Sequence, residues 1–245
     1  MPTIKDTITT PDGTCAVTLA TPEGHGPWPG VVMYPDAGGA RATFDEMAAK
    51  LAGYGYVVLV PDVYYRGAGW KPFDMATVFS DAKERGRLFS MMKKVTPDVM
   101  AADAAAFFDY LESRPEVTAS KFGTTGYCMG GRTSLVVAGR VPDRVAAAMS
   151  FHGGGLASDD PGSPHLLADK IQAAVYIGAA AGDASFTPEQ AETLNKALTA
   201  AGVEHIIETY AGAHGFAVAD NAPYNQAADE QHWEAMESFF GSRLG

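Results

Sequence analysis

Short, continuously apolar runs that alternate with helical segments constrain the fold of this chain more than any other feature. The runs are Pro29–Tyr34, Tyr56–Val60, Val145–Phe151 and Ala173–Ile177. A strand that is apolar along its whole length is buried on both faces, which is typical of a parallel sheet covered by helices. The sequence therefore predicts an α/β fold with a mostly parallel, twisted sheet and helices on both faces.

Other segments extend the predicted sheet to about eight strands. The alternating runs Thr3–Thr9 and Thr14–Ala20 flank a turn signal and predict an antiparallel hairpin at one edge. Lys121–Tyr127 and Glu204–Tyr210 are the remaining strands. The predicted helices are Thr43–Gly53, Asp98–Ser113, Met129–Gly139, Pro188–Ala201 and Ala227–Phe240, and Asp74–Lys94 also looks helical. At 245 residues, the chain suits a single domain over residues 1–245.

Charge and cysteine content limit the function classes. A net charge of −11 argues against nucleic acid or an anionic membrane as partner, because both would be repelled. The two cysteines form neither a disulfide framework nor a metal-binding pair. With no signal peptide at the start and no apolar run of membrane-spanning length, we expect a cytoplasmic protein.

The pattern Gly126-Tyr127-Cys128-Met129-Gly130 is typical of a nucleophile elbow, with cysteine in the central position. A strand that ends at Tyr127 would turn sharply at Cys128 and enter a helix at Met129. The turn would expose the thiol above the carboxyl edge of the sheet, beside a helix N-terminus that favours a thiolate. The alternative is an inert buried cysteine, which is a common role for this residue.

Two later loops supply the groups that a nucleophile needs. Asp183 and His214 each follow a predicted strand, so that the order Cys128, Asp183, His214 matches the nucleophile, acid, base order of α/β-hydrolases. These three are the predicted catalytic residues. His152 ranks below His214 as the base, because it follows the very next strand after the nucleophile. The N–H groups of Ala37 and Met129 are the predicted oxyanion hole.

Several motifs together resemble the dienelactone hydrolase family over nearly the whole chain. They are Gly126–Gly131, Pro61–Tyr64, Phe151-His152-Gly153 and Ala213–Phe216. The resemblance implies an α/β-hydrolase fold, a Cys-His-Asp triad and a thioester intermediate. It also implies that Asp36 modulates the resting thiol.

The resemblance is weaker at the positions that bind the substrate. Family members bind a substrate carboxylate through arginines, one of them four residues after the catalytic histidine, and that position here is Val218. Arg85 or Arg87 is a candidate for another of these arginines. The segment Gly67–Phe73 either lines a pocket or is an ordinary packed loop. The candidate substrate-binding residues are Tyr64, Arg66, Trp70, Arg85, His152 and Phe216.

The predicted function is hydrolysis of a small ester or lactone through a cysteine thioester, by a monomer or small homo-oligomer. We expect no metal and no organic cofactor, since the thiol, imidazole and carboxylate suffice for acyl transfer. The alternatives are a thioesterase or acyl transferase on the same fold, and a non-catalytic homologue that binds a small ligand.

Overall fold

The computed structural model describes residues 1–67 and 69–244. The strands are β1 (Thr3–Thr10), β2 (Gly13–Ala20), β3 (Trp28–Tyr34), β4 (Val57–Pro61), β5 (Val117–Tyr127), β6 (Val145–Phe151), β7 (Ala174–Ala180) and β8 (His205–Tyr210). The helices are α1 (Ala42–Ala52), α2 (Ala82–Met92), α3 (Pro97–Glu112), α4 (Met129–Arg140), α5 (Pro188–Ala200) and α6 (Gln226–Gly241).

All eight strands form one sheet in the order β1-β2-β4-β3-β5-β6-β7-β8. The β1–β2 hairpin joins β4 in antiparallel fashion, and every pairing from β4 through β8 is parallel. The prediction of a mostly parallel eight-stranded sheet is therefore confirmed. Parallel strands place their carboxyl ends at the same edge, so the loops after β3, β5, β7 and β8 lie over one side of the molecule.

Helices cover both faces of the sheet, as the apolar runs predicted. The five residues of β4 are all buried, and they alternate between the two cores. Leu59 faces the core that is shared with α3, α4 and α5, whereas Val58 faces the core that is shared with α1 and α6. Burial on both faces accounts for the continuous apolar runs.

The segment from Asp74 to Lys94 is less helical than expected. Asp74 forms a local turn by accepting hydrogen bonds from the Ala76 N–H and the Thr77 hydroxyl. Helix α2 starts only after Asp81, whose carboxylate accepts from the N–H groups of Lys83 and Glu84. Aspartate competes for backbone donors in this way, which makes it a helix start signal rather than an interior residue.

No helix within the described ranges is long and apolar enough to cross a bilayer.

Candidate active site

The loop between β5 and α4 forms a strained elbow at Cys128. The backbone of Cys128 has φ 54° and ψ −114°, a conformation that side-chain-bearing residues rarely adopt. The flanking glycines make this turn possible: a Cβ on Gly126 would overlap the Gly130 carbonyl, and a Cβ on Gly130 would overlap the Tyr34 carbonyl. The predicted strand, turn and helix are all present, and Cys128 is partly exposed at the N-terminus of α4.

Asp183 and His214 meet across the loops that follow β7 and β8. His214 Nδ1 lies 2.6 Å from Asp183 Oδ2. The Asp183 side chain is only 4% exposed, whereas that of His214 is 32% exposed. The carboxylate is thus enclosed behind the ring, and the ring itself reaches solvent on the other side.

Ser185 is part of this arrangement, although the sequence analysis did not single it out. Its N–H donates to Asp183 Oδ1 over 2.8 Å, and its hydroxyl donates to the same oxygen over 2.7 Å. The signal was present in the spacing, since an aspartate often binds the backbone two residues later. These bonds fix the carboxylate in the position that the imidazole needs.

The electrostatics of His214 follow from its neighbours. Burial by itself disfavours the charged ring, but hydrogen bonds and charge interactions with Cys128 and Asp183 outweigh it and raise the pKa of His214 to about 9. Because Asp183 occupies Nδ1, Nε2 is left for the thiol. For Asp183, burial opposes the charged form, but the bonds from His214 and Ser185 prevail and lower its pKa.

The predicted oxyanion hole is available to a ligand. Met129 is the first residue of α4, so its N–H has no partner within the helix. No backbone hydrogen bond engages the Ala37 N–H within residues 1–67 and 69–244. Tyr64 links the two positions, because its hydroxyl donates to the Ala37 carbonyl at 2.8 Å and contacts Met129 Sδ at 3.6 Å.

Asp36 lies beside the thiol in a buried ion-pair network that sequence reasoning missed. Its carboxylate accepts from Arg41 Nη1 at 2.7 Å and Nη2 at 3.0 Å, and from Asn221 Nδ2 at 3.1 Å. Arg41 also binds Asp220 through two nitrogens, at 2.6 and 2.8 Å. The network joins the loop after β3 to the loop after His214, so it ties two walls of the site together.

These loops enclose a cavity of about 240 Å³. Four residues that the sequence predicted for the site line this cavity: Asp36, Ala37, Cys128 and His214. The other lining residues are Met75, Phe79, Phe89, Met92, Gly215, Asn221, Ala222 and Pro223. A cavity that is lined by a thiol and an imidazole, next to available backbone N–H groups, can carry out acyl transfer.

The six candidate substrate-binding residues do not line this cavity. Arg66 is bound to Asp103 and Asp12, the indole of Trp70 donates to Asp62, and the exposed Arg85 donates to the Phe79 carbonyl. Tyr64 is buried, and its hydroxyl donates to the Ala37 carbonyl in the loop after β3.

His152 packs against the rings of both His214 and Phe216, outside the lining of the cavity. The His152 ring lies 5.3 Å from the His214 ring and 5.1 Å from that of Phe216, centroid to centroid. Neither ring nitrogen of His152 has a hydrogen-bond partner in the described chain. Burial and the nearby His214 and His232 lower the pKa of His152 well below its usual value. His152 therefore packs as a neutral ring.

Comparison with known proteins assigns the chain to a family. Residues 15–244 match the dienelactone hydrolase family. The chain belongs to that family. A Synechocystis relative named "Putative carboxymethylenebutenolidase" is 29% identical over 235 residues, which cover 92% of this chain and 91% of the relative. "Protein usf" of Aquifex pyrophilus is 25% identical over 231 residues, which cover 92% of each chain.

Solved structures of the family share the fold. A crystal structure of a protein from Klebsiella pneumoniae superimposes with a TM-score of 0.84 at 24% identity, and the match covers 98% of each chain. The dienelactone hydrolase-like promiscuous phosphotriesterase P91, from metagenomic libraries, superimposes with a TM-score of 0.76 at 25% identity over 100% of each chain. The predicted α/β-hydrolase fold is therefore confirmed, and the chain is a dienelactone hydrolase-like hydrolase.

Proposed function

We propose that this protein hydrolyses a small carboxylic ester or lactone through a thioester on Cys128. The observation that carries the proposal is the position of the His214 ring, which is held by Asp183 through Nδ1 and lines the same cavity as Cys128. This is the arrangement of a nucleophile, its base and the group that orients the base. The elbow at Cys128 presents the sulfur to the cavity.

In the acylation step, the Cys128 thiolate attacks the substrate carbonyl carbon and the carbonyl oxygen becomes an oxyanion. The N–H groups of Ala37 and Met129 stabilise that oxyanion. As the tetrahedral intermediate collapses, the carbon–oxygen bond to the leaving group breaks and His214 donates its proton to the departing alkoxide. The products of this half-reaction are an alcohol and an acyl thioester on Cys128.

In the deacylation step, the now neutral His214 takes a proton from water, and the resulting hydroxide attacks the thioester. Collapse of the second tetrahedral intermediate expels the Cys128 thiolate and releases a carboxylic acid. Asp183 stabilises the imidazolium and keeps Nδ1 as the protonated nitrogen, so that Nε2 faces the reacting atoms. The reaction consumes one water and regenerates the resting site.

Esters and lactones suit this site better than amides do. A thiolate leaves more readily than an amine, so the tetrahedral intermediate of an amide would return to substrate unless the amine were protonated in place. Asp36 is proposed to modulate the resting thiol, because it lines the same cavity as Cys128.

The test is turnover of p-nitrophenyl acetate, combined with acid-quench mass spectrometry of the enzyme. We expect turnover that Cys128→Ala abolishes and Cys15→Ala retains, with one transient acyl group on Cys128. An acyl group that passes mainly to an added alcohol or amine would indicate an acyl transferase. The absence of both turnover and acylation would favour a non-catalytic ligand-binding homologue.

A further inference from the structure

One wall of the cavity is apolar and aromatic. It is formed by Met75, Phe79, Phe89 and Met92, from α2 and the segment that precedes it. The chain has 12 phenylalanines, and ten of them are buried. The two exposed ones are Phe79 and Phe89, at 53% and 47%, and both lie in this wall. Exposed apolar surface that is concentrated in a cleft indicates a binding surface.

No lysine or arginine lines the cavity in the part of the chain that the structure describes. Arg41 is the nearest candidate, since it binds the cavity residue Asp36, but Asp36 and Asp220 occupy its guanidinium and its side chain is 9% exposed. With two carboxylates to one guanidinium, the network carries a formal charge of −1. It therefore cannot attract a further anion.

The two arginines of α2 also have partners outside the cavity. Arg87 binds Glu84 and the Lys71 carbonyl, and it stacks over Phe73 with its guanidinium carbon 3.7 Å from the ring centroid. Arg85 donates to the Phe79 carbonyl. The charged His214 ring in the cavity is already paired with Asp183. A carboxylate there would thus lose hydration without gaining an unpaired cation, and it would lie near Asp36. Burying a charge without a partner is costly.

We infer that the site is selective for an uncharged ester with an apolar acyl chain, and that it discriminates against an ester that carries a second, ionised carboxylate. The inference rests on the proposed function and specifies its substrate class. The acyl chain lies against Phe79, Phe89 and the two methionines, while the ester carbonyl lies at Cys128.

The test compares two p-nitrophenyl esters with the same six-carbon acyl chain. One is the hexanoate; the other is the adipate monoester, which carries a carboxylate in place of the terminal methyl. We expect kcat/KM to favour the hexanoate by roughly 10²-fold. The methyl ester of the adipate monoester, which has the length without the charge, should lie closer to the hexanoate. Equal kcat/KM values, or a preference for the adipate, would overturn the inference.

Variants of one wall residue sharpen the test. Phe89→Ala removes half-buried apolar surface and should lower kcat/KM for the hexanoate by about 5- to 10-fold, mainly through KM. Phe89→Arg supplies a cation and should lower the ratio of hexanoate to adipate by at least about 10-fold. Leu166→Ala is the matched control, since Leu166 is similarly exposed, at 54% against 47% for Phe89, and lies outside the cavity; it should leave the ratio unchanged.

A binding measurement separates this inference from the proposed function. Titration of each ester into Cys128→Ala, followed by calorimetry, reports affinity without turnover. Tighter binding of the hexanoate would support the inference even if the wild-type enzyme turned over neither ester. If the wild-type enzyme hydrolysed both esters and Cys128→Ala bound both equally, the proposed hydrolysis would stand and the selectivity would be wrong.

Discussion

The two cysteines of this chain have the same side chain and opposite surroundings. Cys15 lies within β2, is fully buried, and directs its thiol at the Ala16 and Asp62 carbonyls at 3.4 and 3.5 Å. Burial, with the nearby charges of Asp62 and Asp103, raises the pKa of Cys15 to about 12. Cys128 lies at the carboxyl edge of the same sheet, is partly exposed and lines the same cavity as His214.

The difference shows that position in the fold determines the chemistry of a thiol. Cys15 points into a core and has no base beside it, so it acts as a small apolar residue. Cys128 lies at a strained backbone turn just after its strand, and it shares a cavity with the His214 imidazole, which belongs to a loop more than 80 residues away. Substitutions of the residues around each thiol test how much each of them contributes to the difference in reactivity between Cys128 and Cys15.

The largest effect is expected from His214→Gln. This change removes both the base that serves Cys128 and the acid that protonates the leaving group, so kcat for an ester should fall by up to about 10⁶-fold. His205→Gln is the control, because His205 lies on β8 and binds Asn195 and the Val203 carbonyl. A loss of less than tenfold in His214→Gln would contradict the role of this histidine.

Asp183→Asn should lower kcat by up to about 10⁴-fold, since the ring loses the partner that fixes its tautomer. With an alkyl ester, the wild-type rate should fall as the pH rises through about 9, where His214 loses the proton that the leaving alkoxide needs. Asp183→Asn removes an interaction that favours the imidazolium, so that this decline should move to lower pH.

Asp159→Asn, at an exposed aspartate, serves as the control for Asp183→Asn. It should leave both the rate and the pH profile unchanged. A decline at the same pH in wild type and Asp183→Asn would show that His214 is not the group that titrates.

Each cysteine has a largely buried arginine–aspartate pair near it, which allows a matched pair of variants. Arg41 binds Asp36 beside Cys128, and Arg66 binds Asp103 near Cys15. Arg41→Gln and Arg66→Gln should each lower the free energy of unfolding by about 2 to 4 kcal/mol, because a buried carboxylate loses its partner. Only Arg41→Gln should also lower kcat/KM, since Arg41 joins two loops of the site.

Denaturant unfolding and ester turnover, measured on both variants, decide this prediction. Equal losses of kcat/KM in Arg41→Gln and Arg66→Gln would mean that the Arg41 network acts on global stability alone.

The smallest effect is expected from His152→Phe. His152 is neutral, and its ring nitrogens make no hydrogen bond in the described chain, so an aromatic ring of similar shape should keep His214 in place. We expect kcat/KM within about threefold of wild type, in keeping with a volume-conserving change in a packed core. A loss as large as that of His214→Gln would identify His152 as the base.

The sequence predicted the features that arise from local patterns. The strands were predicted from runs of apolar residues. The elbow was predicted from its two flanking glycines, which are needed where a strand and a helix approach each other closely. The pairing of His214 with Asp183 could be predicted because the loops that follow parallel strands lie at one edge of the sheet.

The lining of the cavity could not be predicted in this way. Trp70 and Arg66 follow a strand at the correct edge, but Asp62 and Asp103 bind their side chains away from the cavity. Phe79 lies before the start of α2 and Phe89 lies within it, and both line the cavity. The Asp36–Asn221 contact joins residues 185 positions apart, so no local sequence pattern predicts it. Side-chain direction depends on tertiary neighbours, which spacing in the sequence does not specify.

Site-resolved alkylation tests the central difference between the two thiols most directly. Native protein is treated with iodoacetamide at neutral pH, and modification of Cys128 and Cys15 is quantified by peptide mass spectrometry. We predict rapid modification of Cys128, slower modification of Cys128 in His214→Gln, and modification of Cys15 only after unfolding. Equal and slow modification of both cysteines in the native protein would contradict the assignment of Cys128 as the nucleophile.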